Sequence, residues 1–203
     1  MSMRRNFIFL FLLLFIYQSV FIQHGICAGK KSLEGKKVLM IIAKKDFRDE
    51  EFLKPKEVFE RNGAKVTVAS SSLETSSGML GAKVRPEILI EKVKVTDYDA
   101  IVFVGGVGAT EYLDNPVAHS IAKEAIRHNR VLAAICIAPA ILANADVLKD
   151  KKATVWKTEA RRLQSRGAKY TGADLEVDGR IITANGPNAA KKFGEKILEA
   201  LTK

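Results

Sequence analysis

An apolar run at residues 131–135 stops at a cysteine and passes at once into a helical pattern. Five consecutive apolar residues favour a buried strand, and Pro139 followed by apolar residues at helical spacing favours a helix. Cys136 is therefore predicted at a strand-to-helix turn, the geometry of a nucleophile elbow. Free N–H groups at the start of that helix would favour a thiolate. A free cysteine is also commonly a packed core residue, so this segment alone leaves both interpretations open.

Strand patterns alternate with amphipathic helix patterns along the rest of the chain, which predicts an α/β fold with a mainly parallel sheet sandwiched by helices. In such a sheet the active site lies beyond the carboxyl ends of the strands. Residues 46–51, 105–106 and Cys136 all follow predicted strands. The predicted strands are 37–43, 65–70, 99–104, 131–135 and 152–156, with strand pieces or a hairpin in 71–95 and a hairpin in 175–183; the predicted helices are 51–62, 115–128, 158–167 and 188–201.

The first 28 residues have the pattern of a secretory signal peptide. Arg4 and Arg5 precede an apolar run at 7–22, which is short for a membrane span, and Ala28 ends an imperfect cleavage site. We therefore predict a signal peptide at 1–28, a short linker at 29–35 and one domain at 36–203. The predicted location is secreted or periplasmic. An uncleaved segment that anchors the domain outside the cytoplasm is the alternative.

The formal net charge is +10, and basic side chains cluster in residues 149–166. A solvated helix face is the favoured interpretation of that cluster. It lacks the aromatic interleaving and motifs of nucleic-acid binding, so we predict no nucleic-acid partner, and membrane contact only through an uncleaved N-terminal segment. If Cys27 leaves with the signal peptide, Cys136 is the only thiol and no intrachain disulfide can form.

Four segments in order resemble the ThiJ/PfpI superfamily, which includes the parkinsonism-associated deglycase and the PfpI-type proteases. Residues 134–139 (AICIAP) resemble its elbow, and residues 102–109 (VFVGGVGA) resemble its strand that ends in a Gly-Gly turn. Residues 46–51 (DFRDEE), with Pro55 beyond them, resemble the segment that carries a buried glutamate. Residues 184–187 (ANGP) resemble its last turn. The resemblance covers about residue 36 to the C-terminus. It implies a flavodoxin-like fold of the class I glutamine amidotransferase type.

The resemblance also assigns roles to residues of the site. Glu51 would lie beside the sulfur of Cys136 and stay protonated, because two adjacent anions are costly. It could then donate a hydrogen bond to sulfur and move a proton. Asp49 and Glu50 instead fit solvated acids at a helix start. A Gly-Gly turn allows close backbone approach, and the resemblance implies an oxyanion hole formed by two N–H groups, those of Gly106 and Ile137.

The sequence departs from the superfamily at its histidines. Proteases of the PfpI type carry His where this chain has Ile137, and the deglycase branch carries a later His where this chain has Trp156. Trp156 is predicted either to close the pocket over Cys136 or to fill core. Only His119 and His128 remain in the predicted mature chain, both on the helix before the elbow strand. We therefore expect no catalytic His and no protease mechanism.

The resemblance implies chemistry on small reactive carbonyls such as methylglyoxal, or on glycated substrates, with Cys136 as nucleophile and Glu51 as proton partner. Whether the chain is an enzyme stays open. The alternative is a non-enzymatic redox sensor or a stress-protective binding protein that uses Cys136, and a PfpI-type cysteine protease is the least favoured. We predict no cofactor, and no metal site because the histidines lack ligand spacing. The resemblance also implies a homo-oligomer.

Overall fold

A computed structural model describes residues 32–203. The predicted signal peptide and residues 29–31 of the predicted linker lie outside these residues. No helix within 32–203 has both the length and the apolar composition that a membrane crossing requires. The strands are β1 (Lys37–Ile41), β2 (Lys45–Phe47), β3 (Lys65–Ser70), β4 (Ser76–Gly78), β5 (Lys83–Val84), β6 (Ile88–Leu89), β7 (Ala100–Phe103), β8 (Val131–Ile135), β9 (Lys152–Ala153), β10 (Lys169–Tyr170), β11 (Leu175–Asp178) and β12 (Ile181–Ala184).

The helices lie between these strands, as the alternation predicts. They are α1 (Asp49–Arg61), α2 (Pro116–Arg127), α3 (Pro139–Asn144), α4 (Ala160–Ser165) and α5 (Ala190–Leu201), with 3₁₀ turns at Ile90–Lys92, Val95–Asp97, Val107–Tyr112, Lys157–Glu159 and Pro187–Ala189. Asn115 caps α2, where its side-chain oxygen accepts the N–H groups of Val117 and Ala118 at 2.9 and 3.0 Å. The helix predicted after the elbow is α3, which begins at Pro139 and ends at Asn144.

Seven strands of the described chain form the central sheet in the order β11-β12-β8-β7-β1-β3-β6. All neighbours are parallel except β11 and β12, which form the predicted hairpin. Phe52 and Phe59 of α1 and Phe193 of α5 belong to one apolar core, and residues of α2, α3 and α4 belong to the other. The predicted α/β sandwich is confirmed.

The predicted strand at 152–156 is wrong in length, since β9 ends at Ala153. Beyond that residue the backbone turns from β10 to the end of β8. The N–H of Thr154 donates to Oγ1 of Thr183 at 2.9 Å, and the N–H of Trp156 donates to the carbonyl of Cys136 at 2.8 Å. Tertiary hydrogen bonds thus replace strand pairing and carry Trp156 to the elbow.

Candidate active site

Cys136 directly follows β8 and holds a left-handed backbone conformation with φ of 62°. A residue with a Cβ carries roughly 1–3 kcal/mol of strain there. Its N–H donates to the carbonyl of Ala184 at 2.9 Å, and its carbonyl accepts the N–H of Trp156 at 2.8 Å. Two neighbouring segments thus hold the strained turn. Only 8% of the residue is exposed.

The Gly-Gly turn after β7 packs directly on the loop that leads into α1. The carbonyl of Gly105 accepts the N–H of Arg48 at 3.0 Å. Gly106 has φ of 98°, and a Cβ there would lie 2.4 Å from the Arg48 nitrogen and from the Asp46 oxygen. Only glycine allows this approach. The turn therefore presses the start of α1 against the end of β7.

Glu51 lies on the first turn of α1 and is completely buried. A Cβ on Gly105 would lie 2.5 Å both from Oε2 of Glu51 and from Cβ of Cys136, so the two side chains border the same small space. Neither carboxyl oxygen meets the geometry of a hydrogen bond with a described residue. The Cys136 thiol and the Gly105 N–H nevertheless lie close enough to lower the pKa of this carboxyl.

The environment of Glu51 favours its neutral form. Burial raises the pKa of Glu51 from 4.5 to about 8, although interactions with Cys136 and Arg48 lower it. The carboxyl is therefore mostly protonated at neutral pH, as the sequence analysis expected. Because this pKa lies near neutrality, both the acid and the base form are accessible.

The pKa of the Cys136 thiol is raised to about 12, opposite to the direction expected from a helix N-terminus. Burial is the larger cause, followed by the charge of an ionised Glu51. The N–H groups of Gly106 and Ile137 act in the other direction, and both interact with the sulfur. The N–H groups therefore act in the expected direction, but desolvation and the charge of Glu51 outweigh them, so the neutral thiol is the favoured form.

A cavity of about 230 Å³ opens over the sulfur and contains every predicted site residue. Its lining residues are Arg48, Glu51, Met79, Gly106, Val107, Cys136, Ile137, Trp156 and Pro187. The sequence analysis missed Arg48, Met79, Val107 and Pro187. Arg48, Val107 and Pro187 lie inside the quoted motifs, and that position was their only signal. A larger groove between α1 and α5, of about 650 Å³, contains no nucleophile.

Arg48 brings a positive charge to the cavity. Its guanidinium donates to both carboxylate oxygens of Glu50, at 2.8 and 3.1 Å. This pair raises the pKa of Arg48 and lowers that of Glu50. Glu50 is thus an ion-pair partner at the surface. Asp49, expected to be solvated, is instead buried and accepts the N–H groups of Leu80 and Ala82 at 2.8 and 2.7 Å.

Trp156 closes one side of the cavity, and its interpretation as a core residue is wrong. Its exposed fraction is 44%. The ring packs over the backbone of Gly186, where a Cβ would lie 3.0 Å from two ring carbons. One face of the indole is thus fixed, while the rest borders the open space in front of Cys136.

Neither remaining histidine lines the cavity. Nε2 of His119 lies 2.8 Å from the carbonyl oxygen of Leu113, and His128 is the C-cap of α2. No group of three His, Cys, Asp or Glu side chains within residues 32–203 is arranged to hold a metal ion.

The profile of the DJ-1/PfpI family matches residues 36–200. An uncharacterised protein of Methanocaldococcus jannaschii is 46% identical over 177 residues, which are 86% of each chain. A glutathione-independent glyoxalase of Caenorhabditis elegans is 28% identical over 166 residues, 82% of this chain and 89% of the relative. The crystal structure of a ThiJ/PfpI domain protein from Brachyspira murdochii has a TM-score of 0.80 at 30% identity and covers 81% of this chain and 95% of that chain.

Proposed function

The chain belongs to the DJ-1/PfpI family, and from this premise we propose that it converts small reactive carbonyls to hydroxy acids without a cofactor. Cys136 is the nucleophile and Glu51 the proton carrier. One observation carries the proposal: a thiol on a strained elbow and a buried carboxyl with a pKa near neutrality line the same cavity of about 230 Å³. This volume suits a small substrate such as methylglyoxal.

The first step is addition of the thiol to the aldehyde carbon of the dicarbonyl. A carbon–sulfur bond forms, and the thiol proton passes through the Glu51 carboxylate to the former carbonyl oxygen. The product is a hemithioacetal. The N–H groups of Gly106 and Ile137, which already interact with the sulfur, stabilise the negative charge that develops on that oxygen.

The second step moves one proton between the two carbons. Glu51 takes the proton from the carbon attached to sulfur and returns it to the neighbouring carbonyl carbon, while the hydroxyl proton of the hemithioacetal passes to the neighbouring oxygen. The carbon attached to sulfur becomes a carbonyl and its neighbour an alcohol, which leaves a 2-hydroxyacyl thioester. Water then hydrolyses the thioester, releases the hydroxy acid and restores the thiol. The net reaction adds one water molecule to the dicarbonyl and needs no oxidant or reductant. The same addition on a glycated amine would be deglycation.

The decisive test is lactate production from methylglyoxal by purified protein. We expect turnover in the wild type and a loss of at least about a hundredfold in Cys136→Ser and in Glu51→Gln, the scale at which nucleophilic and general acid–base groups contribute. Glu50→Gln is the matched control and should stay within about twofold of the wild type. Equal rates in wild type and Cys136→Ser would refute the proposal.

A redox sensor is the second candidate, and the position of the free Cys136 thiol in the lining of an open cavity favours it. Peroxide would oxidise the sulfur toward a sulfinate. The raised thiol pKa opposes this role, because the thiolate is the reactive form. Mass spectrometry after peroxide treatment distinguishes the two functions: stoichiometric oxidation of Cys136 in a protein without dicarbonyl turnover would favour the sensor.

We also propose that the protein is exported and forms a homo-oligomer, on the pattern of residues 1–28 and on the family. Mass spectrometry of protein from the native envelope or medium should give a mature N-terminus near Gly29. Intact Met1 in the membrane fraction would favour the uncleaved anchor instead.

A further inference from the structure

A second cavity of about 440 Å³ adjoins the one that contains Cys136. Trp156 and Pro187 line both cavities, so they form the shared wall between them. The Asn185-Gly186-Pro187 turn, on which the Trp156 ring packs, also borders this space. The second cavity is larger than the first and is connected with it through this shared wall, although Cys136 itself lines only the first.

Charges of opposite sign line this second cavity. Lys157 supplies an ammonium group, and no carboxylate of the described residues lies within ion-pairing distance of it. Asp174 supplies a carboxylate, which accepts a hydrogen bond from the side-chain amide of Asn185 at 2.9 Å. That bond orients the Asp174 carboxylate and leaves its charge unneutralised. Lys157 and Asp174 thus border one space without pairing with each other.

An unpaired cation and an unpaired anion in one cavity complement a molecule that carries both charges. A free α-amino acid group has this character, since its carboxylate suits Lys157 and its ammonium suits Asp174. The aromatic rings of Trp156 and Tyr170 in the same lining suit the aliphatic stem of a side chain.

We propose that this second cavity binds the α-amino acid end of a carbonyl adduct whose modified end lies against Cys136, with Lys157 and Asp174 as specificity-determining residues and Trp156 as the wall between the two ends. The proposal rests on the proposed function and names its substrate class. The preferred adducts are those of free amino acids modified on their side chains, because both α groups are then available.

The test is a binding titration that does not depend on turnover. Trp156 is the only tryptophan of the chain, so its fluorescence reports occupancy of either cavity directly. The probe is Nε-(1-carboxyethyl)lysine, a stable three-carbon adduct of lysine, beside its Nα-acetyl and its α-amide forms. We expect saturable quenching or a spectral shift with the free amino acid, and binding about fivefold weaker for each blocked form, since an exposed ion pair contributes up to about 1 kcal/mol.

Paired variants assign the two charges. Lys157→Met should weaken binding of the free amino acid about fivefold and leave binding of the α-amide unchanged. Asp174→Asn, which keeps the acceptor for Asn185, should weaken binding of the free amino acid and leave the Nα-acetyl form unchanged. Lys149→Met and Asp97→Asn are matched controls, because both residues are exposed and lie outside the two cavities. Neither control should change any affinity.

Absence of binding in the wild type, or equal affinity for the free and blocked forms, would overturn the proposal. Methylglyoxal turnover together with either result would leave the proposed function intact. The expected pattern of affinities in a protein that turns over no dicarbonyl would support the subsite and refute the proposed function.

Discussion

At the scale of single residues, the site consists of a buried acid and a buried thiol that oppose each other's ionisation. Burial disfavours the ionised form of each group, and a negative charge on one group disfavours ionisation of the other. The pair therefore holds at most one negative charge near neutral pH. Arg48 is the nearby cation that favours both anions. At neutral pH the site therefore holds mainly a neutral thiol and a neutral acid, and in the proposed mechanism Glu51 acts as the base after it has given up its proton.

The raised pKa of Glu51 predicts how stability depends on pH. Between pH 4.5 and about 8 the folded state retains a proton that the unfolded state has released, so the free energy of unfolding falls as pH rises through this window. The loss amounts to several kcal/mol, at about 1.4 kcal/mol per pKa unit. Glu51→Gln has no such proton. We expect the variant to gain stability relative to the wild type as pH rises from 5 to 8, measured by urea unfolding.

Glu50→Gln is the control for this experiment, because the pKa of Glu50 is lowered rather than raised. The interaction of ionised Glu50 with Arg48 stabilises the folded state at any pH above the ordinary pKa of glutamate. This stabilisation is lost only as pH falls below that ordinary pKa. From pH 5 to 8 its unfolding free energy should run nearly parallel to that of the wild type. A Glu51→Gln curve that is also parallel would mean that Glu51 is ionised in the folded protein.

At the scale of elements, the contact between the β7 turn and the loop from β2 to α1 positions the site. It brings the first turn of α1 to the end of β7, and so brings Glu51 beside Cys136. Glycines make the contact: a Cβ on Gly108 would overlap the carbonyl oxygen of Lys45, and a Cβ on Gly106 would lie 2.4 Å from the backbone of Asp46. Larger residues at either position would separate the two segments.

Gly106→Ala tests this contact, and Gly81→Ala is its matched control. The two glycines have nearly equal φ, 98° and 100°, but nothing lies within 4 Å of a Cβ on Gly81. Both substitutions cost backbone strain. Gly106→Ala should cost about 1–3 kcal/mol more, the usual penalty of overpacking, and should also reduce lactate production. Equal losses of unfolding free energy in urea would mean that the close approach does not hold the two segments together.

At the scale of the whole molecule, the parallel sheet collects the ends of several strands at one edge. The sheet places β12, β8 and β7 next to one another, in that order. The turns that follow these strands supply Pro187, Cys136 and Gly106 to one cavity. The path from β9 brings Trp156 to the same place. What this assembly lacks, within residues 32–203, is a histidine facing the sulfur.

The missing histidine predicts negligible peptide-bond hydrolysis. An amide needs its leaving amine protonated by a general acid that first accepts the nucleophile's proton. Ile137 cannot do this, and His119 lies against the Leu113 carbonyl, away from the cavity lining. A dicarbonyl has no such leaving group. Casein cleavage by the wild type should equal that of Cys136→Ala. Cleavage that disappears in Cys136→Ala would show that an unrecognised base reaches the sulfur.

Local sequence pattern was enough for the sheet, most helices and the elbow. A short apolar run bounded by turn signals, such as β8, favours a buried strand, and Pro139 suits the first position of a helix. The resemblance placed Glu51, Gly106 and Ile137 beside Cys136. The sequence pattern predicted secondary structure least reliably where local and tertiary hydrogen bonds compete. At residues 154–156, backbone N–H groups donate hydrogen bonds to other segments, and these bonds end the strand.

Only the tertiary structure decided the electrostatics of the site and the place of Trp156. Spacing shows that Glu51 begins a helix, but its pKa depends on complete burial against Gly105, more than fifty residues away along the chain. The same burial reversed the expected direction for the Cys136 thiol. Asp49 and Glu50 are indistinguishable as helix-start acids until packing buries one and pairs the other with Arg48. Secondary structure follows from neighbours in sequence, whereas desolvation follows from neighbours in space.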